Sequence, residues 1–364
     1  MRYDDASCFC LPNPAELGLT VVLKVDRMTE LTPRYDWTRA EIAGLYEQSF
    51  DVLMTQALAI KRENWPDGKV QKSQLLSIKT GGCAENCGYC SQSAHFDTGL
   101  KAEKLMPLDE VVDAAKRAKD NGADRFCMGA AWRSLKDRDV PKIAAMVSAV
   151  KDLGLETCVT AGMLEEGQAE ALKEAGLDYY NHNLDTSREY YADVVSTRTY
   201  EDRLDTLSKA RKAGMKLCTG GILGMGEGRE DRIGLIYELS QLTPHPESVP
   251  INMLVPIEGT PLGQSAPVSV IEMARAIATC RIVFPKSWVR LSAGRDDMSE
   301  EGQALCLLAG ANSIFVGDRL LTTDNPAIAE DDALMGAMGL EAAGHAEMEA
   351  GGDARRTTLI GGNR

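Results

Sequence analysis

Residues 118–129 read AKDNGADRFCMG, in which a helical segment ends at Gly122 and a strand-like run, RFCMG, follows within three residues. Four later segments repeat this arrangement, with the glycine at positions 154, 176, 214 and 310. A glycine just beyond a helix can take the left-handed conformation that ends the helix and turns the chain into the next strand. The repeat therefore predicts a chain in which helices and parallel strands alternate.

Extending the alternation along the chain gives eight strands. The first is LLSIK at 75–79, and two others, SVPINML at 248–254 and WVRLSA at 288–293, follow proline-containing links. Helices are expected at 107–121, 141–153, 165–175, 200–213, 229–241, 270–283 and 299–309. Eight such units predict an α/β fold of the (β/α)8 TIM-type barrel class. A doubly wound open sheet is the alternative, but polar and reactive residues follow strand ends throughout, which favours the barrel.

The segments that flank the barrel set the expected domain limits. Thr38 and Glu41 form a capping-box pattern that predicts a helix running to the turn at 65–68, an N-terminal helical extension of the barrel. We expect a disordered arm at 1–37, with Met28 as a candidate natural start, and a barrel domain at 38–326. An acidic C-terminal helix and tail is expected at 327–364.

Composition limits the classes of function. The 364 residues carry a net charge of −14, which disfavours a nucleic-acid or anionic-membrane partner because either would require a basic face. The sequence shows neither a secretory signal pattern nor an apolar run near the ~18 residues of a membrane span. Ten cysteines in such a chain indicate a reducing cytoplasm, where thiols bind metals more often than they form disulfides.

The first predicted strand leads directly into GGCAENCGYCSQSAH at 81–95, where Cys83, Cys87 and Cys90 have C-x3-C-x2-C spacing. Three thiolates this close in sequence can converge on one metal centre. His95 could add a fourth ligand for zinc, although structural zinc sites usually draw their cysteines from two separated pairs. A four-iron cluster on three thiolates would instead leave one iron open for chemistry. Spacing alone leaves both kinds of site open.

Three more cysteines, Cys127, Cys158 and Cys218, lie within predicted strands two, three and five. Alternate residues of a barrel strand face the interior, so these thiols could meet at one level. Each taken alone is more simply a buried core cysteine, but their matching positions favour a second metal site. Arg290 on strand seven is a candidate for a fourth inward group. Its alternative role is to bind an anion or to pair with a carboxylate such as Asp185.

Polar side chains also follow the fourth strand, in YNHNLDTS. They are Asn181, His182, Asn183 and Asp185. Amides and a carboxylate suit a ligand rich in hydroxyl groups or urea-like NH and C=O groups, although Asp185 could equally cap a turn and His182 could be structural. Asn252, inside an apolar strand, needs a partner that a ligand could supply. TGGILGMGEG at 219–228 lacks the order of a phosphate loop and its lysine, so it is a weak nucleotide motif.

The cysteine motif after the first strand, with Tyr89 immediately before Cys90, resembles the radical S-adenosylmethionine enzymes. Within that superfamily, further segments in the right order resemble the biotin synthases over roughly residues 38–326. These segments are LLSIKTGGCAENCGYC, RFCMGAAW, YYNHNLDTS, TRTYEDRLDTL, ESVPINMLV, VRLSAGR and AGANSIF. GAAW at 129–132 replaces the Gly-Gly-Glu segment that is usual in the superfamily, but it fits the biotin synthases.

This resemblance implies specific ligands for specific residues. A 4Fe-4S cluster, whose open iron chelates S-adenosylmethionine, is implied on Cys83, Cys87 and Cys90. A 2Fe-2S cluster is implied on Cys127, Cys158, Cys218 and Arg290. The residues implied to bind S-adenosylmethionine are Tyr89, Trp132, Asn183, Asp185 and Ile222. Those implied to bind dethiobiotin are Asn181, Asn183, Asn252, Thr322 and Thr323. Arg290, Asn183 and Asp185 are implied to take part in catalysis.

The resemblance also implies a reaction. Reductive cleavage of S-adenosylmethionine would give a 5′-deoxyadenosyl radical that removes hydrogen from dethiobiotin, and a sulfide of the 2Fe-2S cluster would then be inserted to form biotin. A flavodoxin-like electron donor and a cytoplasmic homodimer are implied as well. Three alternatives remain at this stage. They are another radical S-adenosylmethionine enzyme, such as a hydrogenase-maturation barrel, an iron-sulfur electron carrier, and a cysteine-rich zinc protein.

Overall fold

A computed structural model describes residues 33–344, and its centre is a sheet of parallel strands closed into a barrel. The strands are β1 (Gln71–Lys79), β2 (Arg125–Ala130), β3 (Glu156–Thr160), β4 (Tyr179–Asn181), β5 (Lys216–Cys218), β6 (Gly221–Leu223), β7 (Ser248–Met253), β8 (Trp288–Leu291) and β9 (Ser313–Val316). β1 pairs with both β2 and β9, and a β5–β7 bridge closes the barrel. β5 and β6 both pair with β7 and form two segments of the fifth barrel strand, so the nine segments make eight strands. The predicted (β/α)8 barrel is therefore confirmed.

Two helices precede the barrel, α1 (Arg39–Tyr46) and α2 (Phe50–Asn64). The capping box at Thr38 is confirmed, since the Thr38 hydroxyl accepts from the Glu41 N–H and the Glu41 carboxylate accepts from the Thr38 N–H. The prediction of one continuous helix is wrong. Ser49 takes an extended ψ of 140° and starts a second helix, so the chain can turn and pack α2 against the barrel's outer layer.

The helices that link the barrel strands surround the sheet. They are α3 (Leu108–Asp120), α4 (Val140–Asp152), α5 (Gln168–Glu174), α6 (Tyr191–Val194), α7 (Tyr200–Lys212), α8 (Arg229–Ser240), α9 (Val270–Val283) and α10 (Glu300–Leu308). All seven predicted helices are present, and α6 is an additional short helix. The five glycines of the repeat have φ between 78° and 127°, which confirms their left-handed role. The apolar core lies between these helices and the outer face of the barrel.

The largest differences from the sequence-based strands are in the first and the fifth. β1 begins at Gln71, four residues before the predicted start at 75. Gln71 and Ser73 are polar and therefore look like loop residues in the sequence, but their side chains bond to Arg290 inside the barrel. The fifth strand is interrupted at Gly220, where a Cβ atom would lie 1.9 Å from the Pro250 carbonyl oxygen. The glycines of this segment therefore allow two protein backbones to approach each other closely.

Beyond β9, a small antiparallel hairpin of β10 (Arg319–Leu320) and β11 (Thr323–Asp324) precedes helix α11 (Ile328–Met338). The candidate start at Met28 and most of the expected arm and tail lie outside the described residues, so the proposed domain limits stay a prediction. Among the helices of residues 33–344, none is both long and apolar enough to cross a membrane.

Candidate active site

A cavity of about 340 Å³ occupies the barrel interior beneath the loops that follow the strands. Its lining includes every residue that the family resemblance assigned to the site. These are Cys83, Cys87, Tyr89, Cys90, Cys127, Trp132, Cys158, Asn181, Asn183, Asp185, Cys218, Ile222, Asn252, Arg290, Thr322 and Thr323. The fold therefore brings together residues that are spread over 241 positions of sequence, from 83 to 323.

The loop after β1 carries the first three cysteines at the mouth of this cavity. The loop is closed by backbone hydrogen bonds from Cys83 N to Gln92 O at 2.9 Å and from Ala94 N to Cys83 O at 2.7 Å. Cys90 N also donates to Cys87 O at 2.9 Å, which folds the second half of the motif back on itself. His95 does not line the cavity, and its Nε2 atom lies 3.0 Å from the Ala84 carbonyl oxygen.

Burial shapes the chemistry of these thiols. It raises the pKa of Cys83 and Cys87, and it raises the pKa of Cys90 to about 12. The nearby guanidinium groups of Arg203 and Arg198 act in the opposite direction on the pKa of Cys87. A metal centre bound here would have to displace the thiol protons, as metal binding to cysteine generally does.

Deeper in the barrel, Cys127 of β2 and Cys158 of β3 are register partners on adjacent strands, and Cys218 lies on β5. The three side chains share one small buried cluster with Tyr179, Phe315 and Leu320. The neighbouring Cys158 thiol lowers the pKa of both Cys127 and Cys218, and the charge of Arg290 lowers both further. The interior thus favours thiolates at Cys127 and Cys218, whereas the same contacts raise the pKa of Cys158, so a soft metal would have to displace its proton.

Arg290 is fixed from several directions. Its Nε donates to Ser313 Oγ at 2.9 Å, and its Nη2 donates to Ser73 Oγ at 3.0 Å and to Gln71 Oε1 at 3.2 Å. Its Nη1 lies 4.0 Å from Cys218 Sγ. The alternative pairing of Arg290 with Asp185 is wrong, because Asp185 pairs with Arg203 instead.

Asp185 is the centre of the polar wall of the cavity. Its Oδ2 atom accepts from the Tyr89 hydroxyl at 2.7 Å and from Arg203 Nη2. Its backbone has a φ of 69°, a left-handed conformation that is uncommon outside glycine and is often found at functional sites. The conformation is held because Asp185 N donates to Gly220 O at 3.2 Å while Ile222 N donates to Asp185 O at 2.8 Å.

The amides predicted for the site line the same wall. Asn183 Oδ1 accepts from Gly220 N at 3.2 Å, and Asn181 Nδ2 donates to Cys218 O at 3.0 Å. The protein itself supplies partners for Asn252, whose Nδ2 donates to Gly221 O at 2.9 Å and whose Oδ1 accepts from Ala293 N at 3.2 Å. Each end of that amide keeps capacity for one more hydrogen bond, which a ligand could use.

The hairpin β10–β11 reaches the cavity through its tip. The Thr322 and Ser91 hydroxyls lie 2.7 Å apart, so the hairpin is joined directly to the cysteine loop. Leu321, at the same tip, has a φ of 52° and contacts the position that a Cβ of Gly129 would fill. The C-terminal part of the barrel domain and its first loop therefore close the cavity together.

Three arginines in or beside the cavity were missed by the sequence analysis. Arg203 on α7 donates to Asp185, to the Asn183 carbonyl and to the Tyr191 hydroxyl. Arg198 approaches Cys87, and Arg125 lies two residues before Cys127 on the same face of β2. Only Arg125 carried a signal, because the two-residue period of a strand places it on the inward face.

The donor sets can be compared with the groups that the sequence implied. Among residues 33–344, no set of three or more His, Cys, Asp or Glu side chains is placed as it would be to hold a single metal ion. The fit to iron-sulfur clusters rests instead on donor chemistry, since clusters take thiolates and each of the two cysteine sets lines a shared cavity. In donor type, the two cysteine sets are therefore compatible with iron-sulfur clusters.

Comparison with known proteins decides the family. The model of the Radical SAM superfamily matches residues 77–238, and that of the Biotin and Thiamin Synthesis associated domain matches residues 250–341. The chain is 75% identical to the biotin synthase of Hyphomonas neptunium over 311 residues, which cover 85% of this chain and 97% of that protein. The chain belongs to the biotin synthase family. The biotin synthase of Maricaulis maris is 60% identical over 323 residues, covering 89% of this chain and 96% of that protein.

The barrel of this biotin synthase family member also resembles solved structures. A crystal structure of methylornithine synthase superposes with a TM-score of 0.73 at 21% identity, covering 86% of this chain and 96% of that one. At that identity the likeness concerns the fold alone. Family membership makes the chain a radical S-adenosylmethionine enzyme, with a 4Fe-4S cluster and S-adenosylmethionine as its cofactors. The alternatives of a zinc protein and a simple electron carrier are thereby set aside.

Proposed function

We propose that this chain converts dethiobiotin into biotin, with the radical made at the mouth of the cavity and the sulfur supplied from its depth. The observation that carries the proposal is that both cysteine sets, Arg290 and the Asn and Asp residues line one cavity. A ligand placed between the two sets would be within reach of both. In a chain that belongs to the biotin synthase family, this arrangement matches a reaction that needs a radical source and a sulfur source on opposite sides of one substrate.

At the mouth, Cys83, Cys87 and Cys90 would hold the 4Fe-4S cluster. S-adenosylmethionine would lie along the wall formed by Tyr89, Trp132, Asn183, Asp185 and Ile222. Because Tyr89 and Arg203 already bond to the Asp185 carboxylate, this acceptor is fixed in position before any ligand arrives. Such preorganisation lowers the cost of orienting a ligand for reaction.

In the depth of the barrel, Cys127, Cys158, Cys218 and Arg290 would hold the 2Fe-2S cluster. Ser73, Gln71 and Ser313 fix the guanidinium of Arg290, so that it presents Nη1 towards the thiols. When bound, the two clusters and S-adenosylmethionine supply a carbon-centred radical and the inserted sulfur. Arginine resists oxidation and deprotonation, so it suits a position beside the cluster sulfide that would be inserted into the substrate.

Dethiobiotin would bind between the two ends. The residues proposed to contact it are Asn181, Asn183, Asn252, Thr322 and Thr323. The amides can pair with the ureido NH and C=O groups of the substrate, and the hairpin that carries the threonines covers the cavity. An enclosed site keeps water away from a reactive radical, which would otherwise be quenched by side reactions. We further propose a cytoplasmic homodimer that receives electrons from a flavodoxin-like protein.

Metal content tests the two-cluster proposal directly. After anaerobic purification and reconstitution, we expect about four plus two irons per chain, matching sulfide, and visible absorption typical of iron-sulfur clusters. Cys127→Ala should lose about two irons, and Cys87→Ala should lose about four. A colourless protein that contains zinc alone would refute the proposal.

Asp185 provides a test of the S-adenosylmethionine wall. Asp185→Asn keeps the shape of the side chain and tolerates the left-handed backbone, but it removes the charge that Tyr89 and Arg203 contact. We expect affinity for S-adenosylmethionine to fall about 10- to 100-fold, the value of losing a hydrogen bond to a charged group. Equilibrium binding to the reconstituted protein measures this. Asp193→Asn, at an exposed position, is the control. Unchanged affinity in Asp185→Asn would count against a role of Asp185 in binding S-adenosylmethionine.

A further inference from the structure

Arg198 belongs to a short segment, residues 194–198, that is fastened to the cysteine loop. Gly88 N donates to Val194 O at 2.9 Å, and Asn86 Nδ2 donates to Ser196 Oγ at 2.7 Å. Asn86 Oδ1 in turn accepts from Ser196 N at 3.0 Å and from Thr197 N at 3.2 Å. The backbone that carries Arg198 therefore has a fixed position relative to the three cysteines.

The Arg198 side chain points from this segment towards the cysteine loop. It is only 8% exposed, its Nη2 lies 3.9 Å from Cys87 Sγ, and its Nε lies 3.9 Å from Glu85 Oε2. Arg198 Nε and Glu85 Oε1 are buried, and neither has a hydrogen-bond partner among the residues that the structure describes. Both side chains also line the cavity. The Glu85 carboxylate is partly paired, since its Oε2 accepts from the Thr197 hydroxyl and its Oε1 lies 3.5 Å from Arg133 Nε. A buried guanidinium nitrogen without a hydrogen bond is costly, so Arg198 invites a functional explanation.

Arg203 differs from Arg198 in this respect, although both lie near Cys87. Its Nε, Nη1 and Nη2 donate to Tyr191, the Asn183 carbonyl and Asp185, respectively. Arg203 is thus committed to holding the polar wall in shape. Arg198 keeps donor capacity beside the sulfur of a cysteine in the loop.

We propose that Arg198 and Glu85 together set the reduction potential of the 4Fe-4S cluster, with Arg198 raising it and Glu85 lowering it. The inference rests on the proposed role of Cys83, Cys87 and Cys90 as cluster ligands. Hydrogen bonds to ligand sulfurs and net charge are two of the factors that set cluster potentials. One added electron makes the cluster more negative, so a guanidinium near Cys87 stabilises the reduced form and a buried carboxylate destabilises it. In a site of low dielectric, charges this close interact strongly.

The potential itself is the measurement. Holoenzyme would be reconstituted anaerobically, freed of S-adenosylmethionine, and titrated with a low-potential one-electron reductant while the reduced cluster is followed by electron paramagnetic resonance. Arg198→Gln should make one-electron reduction at least tenfold less favourable, a shift of about 59 mV to lower potential. Glu85→Gln should shift the potential in the opposite direction.

Arg133→Gln is the matched control. Arg133 Nε lies 3.5 Å from Glu85 Oε1, so this variant also removes a positive charge beside Glu85, but its side chain is 44% exposed and Arg133 does not line the cavity. Because water screens its charge, the potential should shift far less than in Arg198→Gln. If Arg198, Glu85 and Arg133 only anchor the cysteine loop, their variants would lose iron but would not shift the reduction potential in opposite directions.

An unchanged potential in Arg198→Gln at wild-type iron content would overturn the proposal. Should Arg198→Gln fail to take up iron, Glu85→Gln and Arg198→Lys decide the question. Glu85→Gln must still raise the potential, and Arg198→Lys, which keeps the charge but loses the guanidinium geometry, must lie at or below the wild-type value. Any other pattern refutes the proposal. A wild-type protein without a four-iron cluster would instead show that the proposed function has failed.

Discussion

Cys87→Ala is expected to abolish both the cleavage of S-adenosylmethionine and the formation of biotin. Cys87 is the central cysteine of the three-cysteine loop and is 5% exposed, so water has little access to replace its sulfur. Losing even an outer partner of a metal site typically costs 10- to 100-fold, so loss of a ligand should reduce both products at least about 100-fold. Chromatographic measurement of 5′-deoxyadenosine and biotin, under anaerobic conditions with excess reductant, tests this directly.

Cys306→Ala is the control for the loss of a buried thiol. Cys306 lies on α10, is fully buried, and does not line the cavity. This variant should form both products at close to the wild-type rate. Thermal unfolding of the two variants before cluster reconstitution would show whether Cys87→Ala has disturbed the fold. If Cys87→Ala still formed 5′-deoxyadenosine at the wild-type rate, the proposed ligand set would be wrong.

The barrel could be predicted from sequence because its signal is repeated. Five glycines mark the ends of helices, and each is followed closely by an apolar strand, so one misread unit would not have changed the fold class. The boundaries were harder where function interferes with pattern. Gln71 and Ser73 extend β1 but look like loop residues, because their polar side chains face the interior to hold Arg290. A strand that builds a polar site lacks the apolar alternation that would reveal it.

The cysteines and the residues of YNHNLDTS could also be selected from sequence, because polar and reactive side chains within or directly after barrel strands indicate an active site. Arg203 and Arg198 could not. Both lie around the start of α7, where arginine is ordinarily a solvated surface residue, and their burial arises only when the cysteine loop packs against this region. The pairing of Asp185 with Arg203 rather than Arg290 likewise depends on which level of the barrel each side chain reaches. Sequence period gives the face of an element but not that depth.

Cys127→Ala should separate the two halves of the reaction. The side chain lies in the deep cluster with Cys158 and Cys218, apart from the loop of Cys83, Cys87 and Cys90. We therefore expect cleavage of S-adenosylmethionine to remain measurable while biotin formation falls at least about 100-fold, the upper end of the cost of losing an outer partner of a metal site. The same assay reports both products, so their ratio does not depend on how much active enzyme each preparation contains.

The comparison of Cys127→Ala with Cys87→Ala distinguishes a sulfur-donating role from a general loss of structure. A misfolded barrel would lose both products in both variants, whereas the proposed division of labour predicts loss of biotin alone in Cys127→Ala. Cys280 is a fully buried cysteine on α9 outside the cavity, so Cys280→Ala controls for the removal of a core thiol. A wild-type biotin yield from Cys127→Ala would remove the deep cysteines from the chemistry and leave them as packing residues, since a cluster that lacks a ligand could not deliver its sulfur unimpaired.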